Sequence, residues 1–131
     1  MNLLLDTHIW LWGLLAPENL SPRVVAALQN PANELWLSPI STWELLVLCE
    51  KGRVALKEPV DAWLAKAFAK VPLKDASLTH AVALETRAVR LPHRDPADHF
   101  LVATARVYGL TLVTADRQLI RSRAVSILAN R

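Results

Sequence analysis

Five acidic side chains fall where the chain changes from strand to helix. Asp6 ends the apolar run "NLLLD". Asp116 follows "LTLVT" with one residue between them. Asp95 and Asp98 open "DPADHFLVATARVYG", and Glu44 lies near the start of "ISTWELLVLCEKG", three residues after Ser41. Each has a modest local use. Asp6, Asp95 and Asp116 suit helix N-caps, Pro96 suits a first helical residue, and Asp98 suits the positive end of the helix dipole. Ser41-x-x-Glu44 fits a capping box. Caps taken singly do not explain why so many acids should share one edge. At about 4 Å, two carboxylates repel by about 4 kcal/mol at an effective dielectric near 20. A pocket that gathers them therefore retains protons or takes a cation.

The neighbouring donors favour a particular cation. They are hydroxyls, Thr7 and Thr114, not thiolates; His8 and His93 lack zinc-ligand spacing, and Cys49 has no partner cysteine. An oxygen-only set suits magnesium or manganese. Such an ion activates water and steadies the charge on a phosphodiester, which points to nuclease chemistry. Phosphate contacts would come from arginine, which makes up ten of the fifteen basic residues and has the better fork for phosphate. Arg117 and Arg121 lie four apart just past Asp116, and Arg87, Arg90 and Arg94 lead towards Asp98. A solvated helix face accounts for these arginines equally well.

These residues need elements to position them. "NLLLD", "ELWLS" (34–38), "LTLVT" (110–114) and "VSIL" (125–128) read as short buried strands, and "VPL" (71–73) as a further short one. Helices are expected over 7–16, after the Ser21–Pro22 start, over 40–52 closed by Gly52, over 59–70, over 77–90, over 95–109 closed by Gly109, and over 116–121. Short apolar strands separated by helices imply an α/β domain. Its central sheet would be mostly parallel, with four to five strands and helices on both faces. The carboxyl ends of such strands share one edge, where ligands bind, so Asp6 and Asp116 can meet there.

The bulk numbers agree with one globular domain over residues 1–131. Hydrophobic residues make up 53% and charged residues 21%, which argues against disorder. The net charge of +3 is a weak hint of a nucleic-acid partner. A lone cysteine forms no intrachain disulfide, so a reducing cytoplasm is the expectation. No membrane association is expected. The start lacks a basic n-region, Asp6 and His8 interrupt its apolar stretch, and the longest uncharged run, Thr7 to Pro17, is too short to cross a bilayer.

Four stretches, "LLLDTHIWLW" (3–12), "SPISTWELLVLCEKGRVAL" (38–56), "LPHRDPADHFLVATA" (91–105) and "LTLVTADRQL" (110–119), occur in an order and at a spacing that resemble the PIN-domain family. Within that family they resemble the VapC-type toxins of toxin–antitoxin pairs. The resemblance implies a PIN-like fold and an acidic, magnesium-binding catalytic site at Asp6, Glu44, Asp98 and Asp116. Thr7 and Thr114 would be supporting hydroxyls, with Asp95 mainly a helix cap. It implies an endoribonuclease, usually dimeric, neutralised by a small antitoxin. His99 departs from the arginine that many relatives carry after "DPxD". The competing expectation is a catalytically silent PIN-like module that binds RNA or protein without turnover. Surplus apolar surface around Trp43, Leu45, Leu48 and Cys49 belongs either to the core or to a shared interface.

Overall fold

The computed structural model describes residues 1–131. Five strands, β1 (Asn2–Leu5), β2 (Glu34–Leu37), β3 (Lys74–Asp75), β4 (Thr111–Thr114) and β5 (Ile127–Ala129), form one sheet in the order β3-β2-β1-β4-β5. All four pairings are parallel, with Leu3 opposite Leu35 and Leu4 opposite Leu112 at the centre. The helices are α1 (Thr7–Leu15), α2 (Pro22–Gln29), α3 (Pro39–Glu50), α4 (Val60–Lys70), α5 (His80–Glu85), α6 (Pro96–Tyr108) and α7 (Arg117–Ser122).

Strand alternation divides the core in two. Leu4 and Leu112 face one side, packed with Val82 of α5, Leu101, Val102 and Ala105 of α6, and Leu119 of α7. Leu3, Leu5 and Val113 face the other, packed with Ile9, Trp10 and Leu11 of α1, Val24 of α2 and Leu45 of α3. Both sheet faces are therefore covered, which is why Leu3–Leu5 of β1, Leu35–Leu37 of β2 and Leu112–Val113 of β4 are apolar without alternation. Helix α1 is apolar on more than its sheet-facing side, and part of the excess meets α4: Trp10 stacks on Phe68 with ring centroids 6.0 Å apart and meets Trp63 edge-on.

Four expectations need correction. Helix α3 begins at Pro39 with Ser38 as its cap, the Ser38 hydroxyl accepting from Ile40 N–H at 3.1 Å. Glu44 is thus in the second turn and forms no capping box with Ser41. The third short strand lies at Lys74–Asp75 rather than 71–73. This two-residue edge strand is exposed, so no apolar pattern marks it. The helix expected over 77–90 is regular only over His80–Glu85 and ends in a 3-10 turn, Thr86–Ala88. Past that turn the chain is extended at Val89, just before Leu91–Pro92, and a residue preceding proline avoids the helical region. The last strand is shifted to Ile127–Ala129.

Candidate active site

In this strand order the chain reverses direction of travel across the sheet between β1 and β4. That crevice, at the carboxyl ends of the strands, is the usual ligand position in an open α/β sheet. Asp6 leaves β1 on one side of it and Asp116 follows β4 on the other. Asp6 is buried, 9% exposed. Its Oδ1 accepts from the Thr7 N–H at 2.7 Å, capping α1, and its Oδ2 accepts from the Thr114 hydroxyl at 2.6 Å. The same Thr114 oxygen accepts from the Asp116 N–H at 3.0 Å. One buried hydroxyl therefore ties both sides of the crevice together. Asp116 Oδ1 caps α7 through the Gln118 and Leu119 N–H groups.

Glu44 reaches the site from α3. Its Oε1 lies 2.6 Å from the Thr7 hydroxyl, which also lies 2.9 Å from Ser41 Oγ. A hydroxyl has one proton, and the carboxylate is its stronger acceptor, so Ser41 supplies the other hydrogen of this relay. Asp98 reaches the site from the first turn of α6, whose start is set by Asp95 Oδ1 capping the Ala97 N–H at 3.0 Å and by Pro96. His93 Nδ1 accepts from the Asp95 N–H at 3.2 Å, which places the proton of the neutral ring on Nε2, 3.3 Å from Asp98 Oδ2.

The electrostatics show that the acids share one field. The Asp98 carboxyl is pushed up to about 7, first by burial and then by the charges of Asp95, Asp6, Asp116 and Glu44. Burial raises Asp6 as well, against the lowering effect of the Thr114 hydrogen bond, the His8 charge and the Thr7 N–H, with Asp116 adding to the rise. Glu44 is raised by burial, then by Asp6 and Asp95, against its Thr7 hydrogen bond. Four elements thus bring Asp6, Glu44, Asp98, Asp116 and Asp95 to one edge, with Thr7 and Thr114 between them.

No three of these side chains close around a single point tightly enough to cage an ion. Each is held by its own partner instead: Asp6 by Thr114, Glu44 by Thr7, Asp98 by His93. The donor set still fits a hard divalent cation. It is all oxygen, it carries unbalanced negative charge, and small divalent ions of this class retain several waters and need only one or two protein carboxylates.

Two residues that contribute here, Ser41 and His93, are absent from the expected set. Ser41 was legible as a buried hydroxyl three residues from Glu44, on the same helix face. His93 has no sequence signal, because a loop brings it to Asp98. Arg94 is exposed and joins none of the four ion pairs. Arg117 and Arg121 line a cavity beyond Asp116.

Residues 3–124 match the PIN-domain family, most of the chain and all the acids described. The chain belongs to the PIN-domain family. This PIN domain is 38% identical over 121 residues to Ribonuclease VapC22 of Mycobacterium tuberculosis, covering 90% of this chain and 89% of that protein. Its fold is similar to the crystal structure of VapBC2 from Rickettsia felis bound to a DNA fragment from their promoter. The TM-score there is 0.74 at 17% identity, over 98% of each chain. It is also similar to DNA-bound VapBC from Salmonella typhimurium, with a TM-score of 0.72 at 19% identity, over 100% of this chain and 99% of that one. A PIN-domain ribonuclease depends in general on a divalent metal. No helix is long and apolar enough to cross a membrane.

Proposed function

We propose that this PIN domain is a magnesium-dependent endoribonuclease that hydrolyses RNA phosphodiester bonds, with manganese able to substitute. We further propose that it acts as a cytoplasmic toxin of the VapC type, restrained by a cognate antitoxin. The observation that carries the reading is the gathering of Asp6, Glu44, Asp95, Asp98 and Asp116 at the sheet's switch point, close enough that the other four raise the Asp98 carboxyl. So much negative charge on one edge favours a cation over a neutral ligand, and a phosphodiester would approach it through that cation. The relationship to Ribonuclease VapC22 supports the same substrate class.

Asp6, Glu44, Asp98 and Asp116 are the residues that would hold the ion. When bound, it supplies Lewis acidity that polarises water and offsets charge developing on the phosphodiester. The chain's own contribution is preorganisation. Thr114 and the Thr7 N–H fix both oxygens of Asp6, and Thr7 fixes Glu44, so neither carboxylate reorients during the reaction. With no ion bound the Asp98 carboxyl sits near 7, so near neutral pH it gives up its proton when it takes a metal. Setting the four site acids aside leaves fifteen basic residues against eight acidic ones, so the rest of the chain is cationic and suited to a phosphate backbone.

A homodimer and an antitoxin contact are part of this proposal. On α3, Trp43 is 54% exposed and Leu46 42% exposed, leaving apolar surface for a second chain. Light scattering during size-exclusion chromatography tests the dimer, and a monomer at high micromolar concentration counts against it.

The decisive test is cleavage of single-stranded and structured RNA by purified protein in magnesium, in EDTA, and with Asp98→Asn. Cleavage is expected only for the wild type with metal. Activity that survives chelation, or persists in the variant, overturns the mechanism. A folded wild type that binds RNA and cleaves none would favour the silent binding module.

A further inference from the structure

Beyond Asp116, on the same edge of the sheet, lies a cavity of about 390 Å³ lined by Ala115, Arg117, Ile120, Arg121, Asn130 and Arg131. We propose that this cavity binds a backbone phosphate of the RNA strand, away from the bond being cleaved. The inference rests on the ribonuclease reading above and adds a subsite to it.

The position follows from the sheet. Strand β5 is parallel to β4, with Ala129 opposite Thr114, so residues just after β5 emerge beside residues just after β4. The Asn130 N–H donates to the Thr114 carbonyl at 2.8 Å. Thr114 therefore holds Asp6 with its hydroxyl and the cavity rim with its carbonyl. A strand whose scissile phosphate sits among the acids would pass this rim one strand further along the edge.

The cavity's chemistry suits an anion. Arg117 and Arg121 lie one helical turn apart on α7, and Arg131, just beyond β5, lines the same hollow. None of the three takes part in an ion pair; the four pairs of the molecule use Glu58, Glu34, Asp98 and Glu85 elsewhere. All three are exposed and none is held by a carboxylate side chain in an ion pair, so their charge is open to an anion that enters the hollow. Arginine's planar fork matches phosphate oxygens, and the apolar walls from Ala115 and Ile120 reduce competition from water.

The rim is also preset. The Asn130 side chain accepts from the Ser21 N–H at 2.7 Å and donates to the Asn19 carbonyl at 3.0 Å, pinning the chain after β5 to the connection between α1 and α2. Asn130 is thus a positioning residue, its side-chain oxygen and nitrogen each held by the α1–α2 connection, and the arginines are the phosphate contacts.

The test uses fluorescence anisotropy with a labelled oligouridine in magnesium, with Asp98→Asn in every protein so that the strand stays whole. The Arg117→Gln/Arg121→Gln pair is expected to weaken binding roughly tenfold. It should also flatten the plot of log K against log salt by about 0.7, the signature of one lost phosphate contact on a single strand. The charge-matched pair Lys57→Gln/Lys70→Gln, exposed on other elements, is expected to bind like the parent. Equal binding and equal salt slope for the arginine pair would overturn the subsite, as would an equal loss in the lysine pair. If those results come with RNA cleavage by the wild type, only the subsite fails. A parent protein that binds no RNA overturns the subsite, and the ribonuclease reading falls with it only if the wild type also cleaves no RNA in magnesium.

Discussion

Thr114 and Asp6, 108 residues apart in sequence, meet through a 2.6 Å hydrogen bond that bridges the crevice between β1 and β4. Replacing Thr114 with valine keeps the shape and removes the only side-chain donor to a buried carboxylate oxygen. A buried acceptor left without its donor costs about 1–3 kcal/mol, so Thr114→Val should lose that much stability in urea unfolding at pH 8. As an outer partner of a metal-site acid, it should also lose about 10–100-fold of magnesium-dependent activity. Thr114→Ser, which retains the donor, should keep most of both. A valine variant matching the wild type in stability and rate would mean that the hydroxyl does not hold Asp6.

Asp98 gives a pH prediction whose sign can be fixed. Its carboxyl sits at about 7 in the folded chain against an ordinary 3.8. Between those values the folded state holds more protons than the unfolded one, so stability falls as pH rises. The contribution is fully present below about 3.8, is lost as pH passes through 7, and is flat beyond. In EDTA, the thermal midpoint of Asp98→Asn should therefore gain on that of the wild type from pH 4 to pH 7, and the gap should level off above. A gap that does not change with pH would show that Asp98 titrates normally.

The same field makes metal binding proton-linked. Asp6, Glu44 and Asp98 are all raised first by burial and then by neighbouring carboxylates of the site, and a cation reverses that balance by favouring their ionised forms. Magnesium should release roughly one proton near pH 6.5, measured by calorimetry in two buffers of different ionisation enthalpy. Asp98→Asn should release fewer. At a hundredfold excess over its dissociation constant, the ion should add about 2.7 kcal/mol of stability. An identical binding heat in both buffers would disprove the linkage.

Much of this arrangement is visible in the order of residues, for reasons that differ by element. Buried parallel strands read as unbroken apolar runs, so β1 and β4 stand out, and the acids at their ends are found with them. Cap-then-proline starts mark α2 at Ser21–Pro22 and α6 at Asp95–Pro96. The same signature at Ser38–Pro39 starts α3 and outranks the Ser41–Glu44 pattern, which mimics a capping box because Ser41 and Glu44 face Thr7 together. The edge strand β3 and the shortened α5 are not legible. A two-residue exposed strand has no apolar period, and the end of α5 is set by tertiary packing and by the approach to Pro92. His93 and Asn130 act through contacts made only by folding, so spacing cannot reveal them.

Helix α6, which presents Asp98 at its start, owes its stop to Gly109. That residue has φ of 68° and ψ of 39°, a left-handed conformation that turns the chain into β4. Its N–H donates to the Ala105 carbonyl, which also accepts from the Leu110 N–H at 2.8 Å, so the last turn is closed by this geometry. A Cβ added at Gly109 would meet nothing within 4 Å. The cost of Gly109→Ala is therefore backbone strain alone, about 1–2 kcal/mol, with Gly109→Asn costing less because asparagine tolerates this region better. At this chain length that is a drop of roughly 3–10 °C in thermal midpoint for alanine. Because Asp98 is at the far end of a 13-residue helix, RNA cleavage at 25 °C should stay at the wild-type rate while the midpoint falls. A loss of rate in parallel with stability would mean that the α6 terminus, and not the crevice hydrogen bonds, sets the position of Asp98.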